Sequence, residues 1–241
     1  TIADSGLTSQ HALEENRYSL LNSTGINSDL TVDTKEIKEK EQGTFLEEAT
    51  LPKEKHSLKP ELHQEEVKAE ELIPLITVTL NEIIYENNSI PKHPLILKQM
   101  ETPFYSKCIP KITIENFIER LVKYTKMEVS TMCLMSIYLD TFCERGSFFL
   151  TGNNVYRVLL TAAVLAIKYN EDDFYDNKFY SKVGGVSLEE LNLLEVTFFE
   201  RCNFNLYIDS NKYSKYYEYL IMQLCGDSTE SSADDDSVTS Q

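Results

Sequence analysis

The longest run of apolar residues in the chain is Asn154–Tyr169, NVYRVLLTAAVLAIKY. Between its ends only Arg157, Thr161 and Lys168 are polar, so a helix here has almost no face suited to water. Such a helix belongs in the centre of a helical domain or in a membrane. At about 1.5 Å per residue it would reach roughly 24 Å, which is short for a bilayer. We therefore predict the central helix of a soluble all-α domain.

Apolar positions at helical spacing predict further helices on both sides of this run. Thr113 is a predicted N-cap, with Ile112 and Phe117 placed as a hydrophobic staple, and Ser187 with Glu190 forms a capping box. About seven helices and no convincing strand pattern result, and the fold class predicted is all-α. The other predicted helices are Leu72–Asn88, Thr113–Lys126, Glu128–Arg145, Phe174–Val183, Leu188–Arg201, and one from Asp209 or Ser210 to Cys225.

The segments that join and flank these helices have their own signals. Four prolines predict an extended connector after the first helix, and Thr151 or Asn153 is expected to cap the central helix. Residues 1–70 are polar and poor in aromatics, and residues 226–241 are acidic. Neither segment can bury enough apolar area to offset its ordering entropy, so both are predicted to be disordered tails around a domain at 72–225. The prolines are Pro91, Pro94, Pro103 and Pro110.

The net charge of the chain limits the classes of molecule that it is expected to bind. The net charge is −16, most of the acidity lies outside the apolar middle, and no basic stripe is present. Nucleic-acid binding is therefore disfavoured, and no membrane span is expected. The first residues show neither a basic flank nor an apolar segment, so we expect no signal peptide and a location in the nucleus or cytoplasm.

No pattern of catalytic, metal-ligating or cofactor-binding residues is evident. The chain has no glycine-rich phosphate loop, no GxSxG, no HExxH and no CxxC. An odd number of dispersed cysteines indicates buried, reduced thiols rather than disulfides or a metal site. We therefore expect no enzyme activity, no cofactor and no metal. The cysteines are Cys108, Cys133, Cys143, Cys202 and Cys225.

Two charged positions within apolar surroundings require explanation. Asp140 is expensive to bury without a partner, and Arg120 on the preceding amphipathic helix is the nearest candidate. The alternative is that both reach solvent independently. Lys168 could simply interact with the C-terminus of its helix and extend to water. A functional role for Lys168 is the other possibility that the residues leave open.

Taken in order and at their spacing, several stretches resemble the cyclins, and most closely the yeast phosphate-response cyclins and the plant U-type and P-type cyclins. The stretches are TPFYSKCIPKITIENFIERLVKYTK at 102–126, SIYLDTF at 136–142, residues 148–208, and YSKYYEYL at 213–220. The resemblance implies a single five-helix cyclin box at about 111–208 with flanking helices. It also implies a regulatory subunit, not an enzyme, that forms a heterodimer with a cyclin-dependent protein kinase and activates it.

The resemblance assigns roles to individual residues. Lys168 and Glu195 fall where cyclins contact the C-helix region of the kinase, and Arg120 with Asp140 matches the internal ion pair of the box. At the exposed docking patch of the first box helix this chain has charged residues instead. Docking of substrates there is therefore not expected. Apolar kinase contacts are implied for Leu165, Tyr169, Phe204 and Leu206, and the charged patch positions are Glu119, Lys123 and Lys126.

Alternative functions remain at this stage. The chain could be a cyclin-fold scaffold that binds a partner without activating a kinase. A DNA-binding cyclin fold of the general initiation-factor type would need two boxes and a basic face, neither of which the sequence shows. A role in phosphate signalling or in the cell cycle is implied, and the kinase and its substrates are left open.

Overall fold

The computed structural model describes residues 67–89 and 93–226, and the regular secondary structure of this part of the chain is entirely helical. A short 3₁₀ turn at Ala69–Leu72 precedes the first helix. The predicted all-α class is confirmed, while the predicted tails lie almost wholly outside the described residues. The helices are α1 (Ile73–Asn88), α2 (Pro94–Gln99), α3 (Ile114–Thr125), α4 (Val129–Gly146), α5 (Val155–Asn170), α6 (Asn177–Gly184), α7 (Leu188–Arg201) and α8 (Ser210–Gly226).

Helix α5 is the centre of the domain, as its composition predicts. Every residue from Val158 to Ile167 is buried, and α4, α7, α3 and α6 pack around it. Its three alanines let neighbouring helices approach closely. At Gly184 of α6 an added Cβ would lie only 2.1 Å from Leu160 Cδ2 on α5. None of the described helices is long and apolar enough to cross a membrane.

Helix α4 is the second buried element, with all residues from Thr131 to Cys143 inside the core. Its ring of Phe142 stacks on Phe198 of α7, with 4.5 Å between the ring centroids. Phe104 and Phe148 join the same cluster edge-on or tilted. The apolar periodicity of α4 and α7 therefore closes one continuous core around α5.

The helix ends agree with the predicted caps in part. Thr113 accepts a hydrogen bond from the amide of Asn116 at 3.2 Å, and Ser187 accepts one from the amide of Glu190 at 3.0 Å. The carboxylate of Glu190 does not complete the predicted capping box, because Arg157 of α5 holds it at 2.6 Å. The predicted cap of α5 is also wrong. Asn154 occupies that position and uses its side chain to bridge the preceding loop.

The connector after α1 was expected to be extended, and its described part contains the short helix α2. Pro94 is the first residue of α2, where its missing N–H would have had no helical partner. The Nδ1 atom of His93 accepts a hydrogen bond from the amide of Leu95 and so acts as the N-cap. The prediction of an extended connector is therefore wrong at Pro94, which begins a helix instead of preventing one.

Arg120 and Asp140, the predicted ion pair, each have a partner that the sequence does not indicate. Asp140 is only 3% exposed, and its Oδ2 accepts a hydrogen bond from the hydroxyl of Tyr216 on α8. Arg120 instead donates to the carbonyl of Lys182, near the end of α6, at 3.1 Å. The ion pair between the two stays a prediction. Asp140 is buried as expected, and a phenol supplies one donor to its carboxylate without adding a charge.

The five cysteines all lie within the described residues and are thiols rather than disulfides, as predicted. Cys133, Cys143 and Cys202 are buried, whereas Cys108 and Cys225 are exposed. Burial raises the pKa of Cys133 to about 12 and that of Cys202 to about 11. These thiols therefore stay protonated at neutral pH and pack as small apolar groups.

Candidate functional site

Lys168 and Glu195 form an ion pair between two helices. Lys168 lies in the last turn of α5 and Glu195 in the middle of α7, and 2.6 Å separates Nζ from Oε1. Their side chains are 29% and 13% exposed, respectively. The pair therefore lies at the edge of the core, where water screens it only in part. The sequence analysis assigned both residues to one contact surface, and the structure brings them together.

The other carboxylate oxygen of Glu195 is also engaged. Its Oε2 accepts a hydrogen bond from Nδ2 of Asn177, the first residue of α6, and the same amide donates to Oδ1 of Asn192 at 2.7 Å. Asp176 caps α6 by accepting from the amide of Phe179 at 2.9 Å. Three helices thus fix the position of one carboxylate before any partner is bound.

The ion pair lies in a groove between α5 and α7 with a volume of about 740 Å³. Most of the exposed lining is apolar, and the pair supplies its charged groups. Five of the six residues predicted to contact a kinase line this α5–α7 groove; Phe204 is not among them. The lining residues are Tyr138, Leu165, Lys168, Tyr169, Asn192, Glu195, Val196, Phe199, Leu206 and Tyr207.

Large apolar side chains surround the groove on the outer surface. Tyr169 and Val196 are exposed, and Phe204 and Tyr207 are each 72% exposed. Single exposed apolar residues are ordinary, but a cluster around a groove marks an interaction site. This part of the molecule is therefore suited to burial against another protein.

Sequence reasoning missed five of the lining residues, and a signal for three of them was available. Asn192, Val196 and Phe199 stand three or four positions from Glu195 or from each other, so they share its face of α7. The apolar spacing predicts the helix itself, and the same spacing marks the face that carries Glu195. Tyr138 and Tyr207 come from other elements, and no local pattern places them beside α7.

The turn after α7 has an unusual backbone. Asn203 and Phe204 both have φ of 54°, in the left-handed region. A left-handed conformation costs a residue with a side chain about 1–2 kcal/mol, and asparagine tolerates it better than phenylalanine does. The turn places Phe204 in solvent beside the groove, between the buried residues Cys202 and Leu206. An apolar ring in a strained, exposed position is a common feature of binding sites.

A second groove, of about 640 Å³, lies beside α3. Glu119, Lys123 and Lys126 line it, and all three are exposed. The charged character predicted for this surface is therefore present in the structure. Within residues 67–89 and 93–226 no group of three histidine, cysteine, aspartate or glutamate side chains is placed to hold a metal ion.

Comparison with known proteins supports the resemblance. Residues 64–206 match the cyclin family, and this is more than half of the chain. The chain belongs to the cyclin family. The matched residues include both members of the ion pair and all four predicted apolar contacts. The α5–α7 groove of this cyclin therefore lies within the part that defines the family, apart from Tyr207 just beyond it.

Individual relatives point to the subfamily named in the sequence analysis. This cyclin is 34% identical over 143 residues to Cyclin-U4-1 of Arabidopsis thaliana, covering 59% of this chain and 71% of that protein. It is 30% identical over 171 residues to PHO85 cyclin-7 of Saccharomyces cerevisiae, covering 63% and 60%. With PHO85 cyclin-like protein psl1 of Schizosaccharomyces pombe the identity is 33% over 163 residues, covering 63% and 67%. The chain thus spans between 60% and 71% of the length of these relatives.

Proposed function

We propose that this cyclin is a regulatory subunit that binds a cyclin-dependent protein kinase through the α5–α7 groove and activates it as a heterodimer. The observation that carries the proposal is the Lys168–Glu195 pair, which is already formed at 2.6 Å inside an exposed apolar groove. A folded domain rarely leaves such a groove and its apolar surroundings uncovered without a partner. Two relatives are named as cyclins of PHO85, so kinases of that class are the first to test.

The mechanism follows from what a kinase requires. Its strand lysine must pair with a glutamate of the C-helix, and that helix must lie inward for the pair to form. The groove would hold the C-helix inward, with Lys168 donating to carbonyl or carboxylate oxygens of the kinase. The cyclin activates only if it binds the inward arrangement more tightly than the outward one.

The apolar side chains would supply most of the affinity. Buried aromatic and aliphatic side chains at the centre of an interface usually dominate its binding energy. Leu165 and Leu206 are buried residues of the groove lining, Tyr169 and Tyr207 are exposed ones, and Phe204 is exposed two residues before Leu206. In this proposal the ion pair sets the orientation of the bound kinase, and the apolar side chains supply most of the binding free energy.

The test compares two ion pairs that join the same two helices. Lys168→Ala and Glu195→Ala remove the pair in the groove, whereas Arg157→Ala removes the Arg157–Glu190 pair between α5 and α7 outside it. Kinase affinity is measured by titration calorimetry, and activation by phosphate transfer to a peptide. Truncating one member of a partly buried charge pair at an interface costs about 2 kcal/mol or more, or roughly 30-fold in affinity.

We expect the two groove variants to lose affinity and activation, and Arg157→Ala to keep both. If the folded Lys168→Ala and Glu195→Ala proteins bind and activate normally, the proposed site is wrong. If the wild-type protein binds the kinase without activating it, the scaffold alternative is favoured instead. Circular dichroism spectra confirm that each variant is folded before it is compared.

A further inference from the structure

The C-terminal ends of α4 and α7 lie side by side, and an arginine from each reaches the other. Arg145, in the last turn of α4, donates from Nη1 to the carbonyls of Cys202 at 3.1 Å and Asn205 at 2.6 Å. Arg201, the last residue of α7, donates from Nη1 to the carbonyl of Gly146 at 3.5 Å. Helix C-termini carry partial negative charge, so two of them together favour cations between them. The shorter contacts are those of Arg145.

The two carbonyls that Arg145 contacts enclose the left-handed turn. Asn203 and Phe204 lie between them, both with φ of 54°. Inside the turn, the amide of Phe204 donates to the carbonyl of Phe199 at 2.7 Å, and that of Asn205 donates to Cys202 at 3.1 Å. Backbone in a sparsely populated region persists only where its surroundings hold it. Arg145 ties the entry and exit of this turn to the end of a buried helix.

The turn also reaches the edge of the groove. Oδ1 of Asn205 accepts a hydrogen bond from the amide of Tyr207 at 3.1 Å, and Tyr207 lines the groove. The guanidinium of Arg145 therefore fixes the backbone from which Phe204 projects. It does so from outside the groove lining, and without contact to the ion pair of α5 and α7.

We propose that Arg145 is a positioning residue, which holds the Cys202–Asn205 turn so that Phe204 is presented to the bound kinase. The inference rests on the proposed function, and it concerns the orientation of an apolar contact rather than a new contact. Without Arg145 the turn relaxes, because two carbonyls lose a charged donor and only the backbone hydrogen bonds of the turn remain to offset the left-handed conformation. The Phe204 ring then occupies many positions, and binding must order it again.

The first arm of the test needs no kinase. Amide hydrogen exchange is measured by NMR on the full chain for wild type, Arg145→Met and the control Arg157→Met, which removes an arginine outside the groove. We expect exchange at the amides of Phe204 and Asn205 to be at least tenfold faster in Arg145→Met alone, with the α5 amides unchanged. Unchanged protection of those two amides would overturn the positioning role, whatever the kinase data show.

The second arm is a double-mutant cycle on kinase affinity with Arg145→Met and Phe204→Ala. If Arg145 acts through Phe204, Arg145→Met weakens binding about three- to tenfold in the wild-type background and has no further effect in Phe204→Ala. Additive effects would show that Arg145 acts in another way and would overturn the proposal. If Phe204→Ala itself binds normally, the turn does not serve the kinase. In that case the link to binding is refuted, while the Lys168 and Glu195 variants still decide the proposed function.

Discussion

Gly184 is the position where a single methyl group should disturb both the packing and the site. It is the last residue of α6, and an added Cβ would lie 2.1 Å from Cδ2 and 2.7 Å from Cδ1 of Leu160. Real Cβ contacts are essentially never closer than 3.0 Å, so α6 or the leucine must move by about 1 Å. Leu160 is 1% exposed in the centre of α5 and has little room to give way. We expect Gly184→Ala to move α6 away from α5.

The expected loss of stability in Gly184→Ala follows from overpacking of the core. Adding a methyl group to a well-packed core costs typically about 1–3 kcal/mol, and the short distance here places Gly184→Ala near the upper end. For a domain of this size a loss of about 3 kcal/mol lowers the melting temperature by roughly 6–12 °C. Asn177, at the other end of α6, holds Glu195, so kinase binding should weaken as well.

The adjacent glycine provides a matched control. Gly185 has φ of 72° and no atom within 4 Å of an added Cβ, so Gly185→Ala meets only backbone strain of about 1 kcal/mol. Thermal unfolding followed by circular dichroism should rank wild type above Gly185→Ala and Gly185→Ala above Gly184→Ala. Leu160→Ala should be less harmful in the Gly184→Ala background than alone, since it makes room for the methyl group. A Gly184→Ala protein as stable as Gly185→Ala would refute the packing argument.

Two further predictions concern buried polar groups. Tyr216→Phe removes a hydroxyl donor from the buried carboxylate of Asp140. We expect urea denaturation to show a loss of about 1–3 kcal/mol in the free energy of unfolding. An unchanged urea midpoint would contradict the assigned hydrogen bond. The buried thiols should make the fold sensitive to alkali, because burial raises the pKa of Cys133 to about 12 and that of Cys202 to about 11 from an ordinary 9.0. A raised pKa in the folded state means that this stability is complete below about pH 9 and is lost as the pH rises toward 11–12, by up to about 1.4 kcal/mol per pH unit for each thiol. Urea midpoints that stay constant from pH 8 to pH 11 would contradict this, and Cys202→Ala should reduce the slope.

The sequence predicted the helices well because their apolar periodicity and their packing agree. The apolar run of α5 and the caps at Thr113 and Ser187 are local signals that the structure retains. The failures arose where a distant partner competes with a local one. Glu190 turns to Arg157 of another helix rather than to its own cap, and no pattern in one segment can reveal this.

Burial of Asp140 requires a donor, and Tyr216 is one that the sequence does not indicate. An isolated carboxylate in an apolar helix requires donors, and Arg120 on the preceding amphipathic helix was the predicted one. The structure supplies a tyrosine hydroxyl from a helix 76 residues further along the chain. Donors in a core are chosen by the geometry of packing, so sequence can require a donor but rarely identify it.

The candidate site also combines features that the sequence indicates with features that it does not. Lys168 and Glu195 could be named because the order and spacing of a whole set of residues resembled a family, whereas composition alone favoured a helix-end lysine. The sequence does not show that the positions of Lys168 and Glu195 are fixed in the folded protein. Asn177 and Lys168 together occupy both oxygens of Glu195 in the free protein, and they come from two different helices.

This fixed arrangement bears on which partner changes shape in the proposed complex. Ordering a long side chain at an interface costs about 0.5–1.5 kcal/mol, and here folding has already ordered Lys168 and Glu195. A groove fixed in advance gains little by adapting to either form of the kinase, so it can favour one form through its own shape. A flexible groove would fit both forms, and equal affinity for two states shifts neither. In the proposed complex, the rigidity that Asn177 gives to Glu195 would therefore allow contact at the groove to become activation of the kinase.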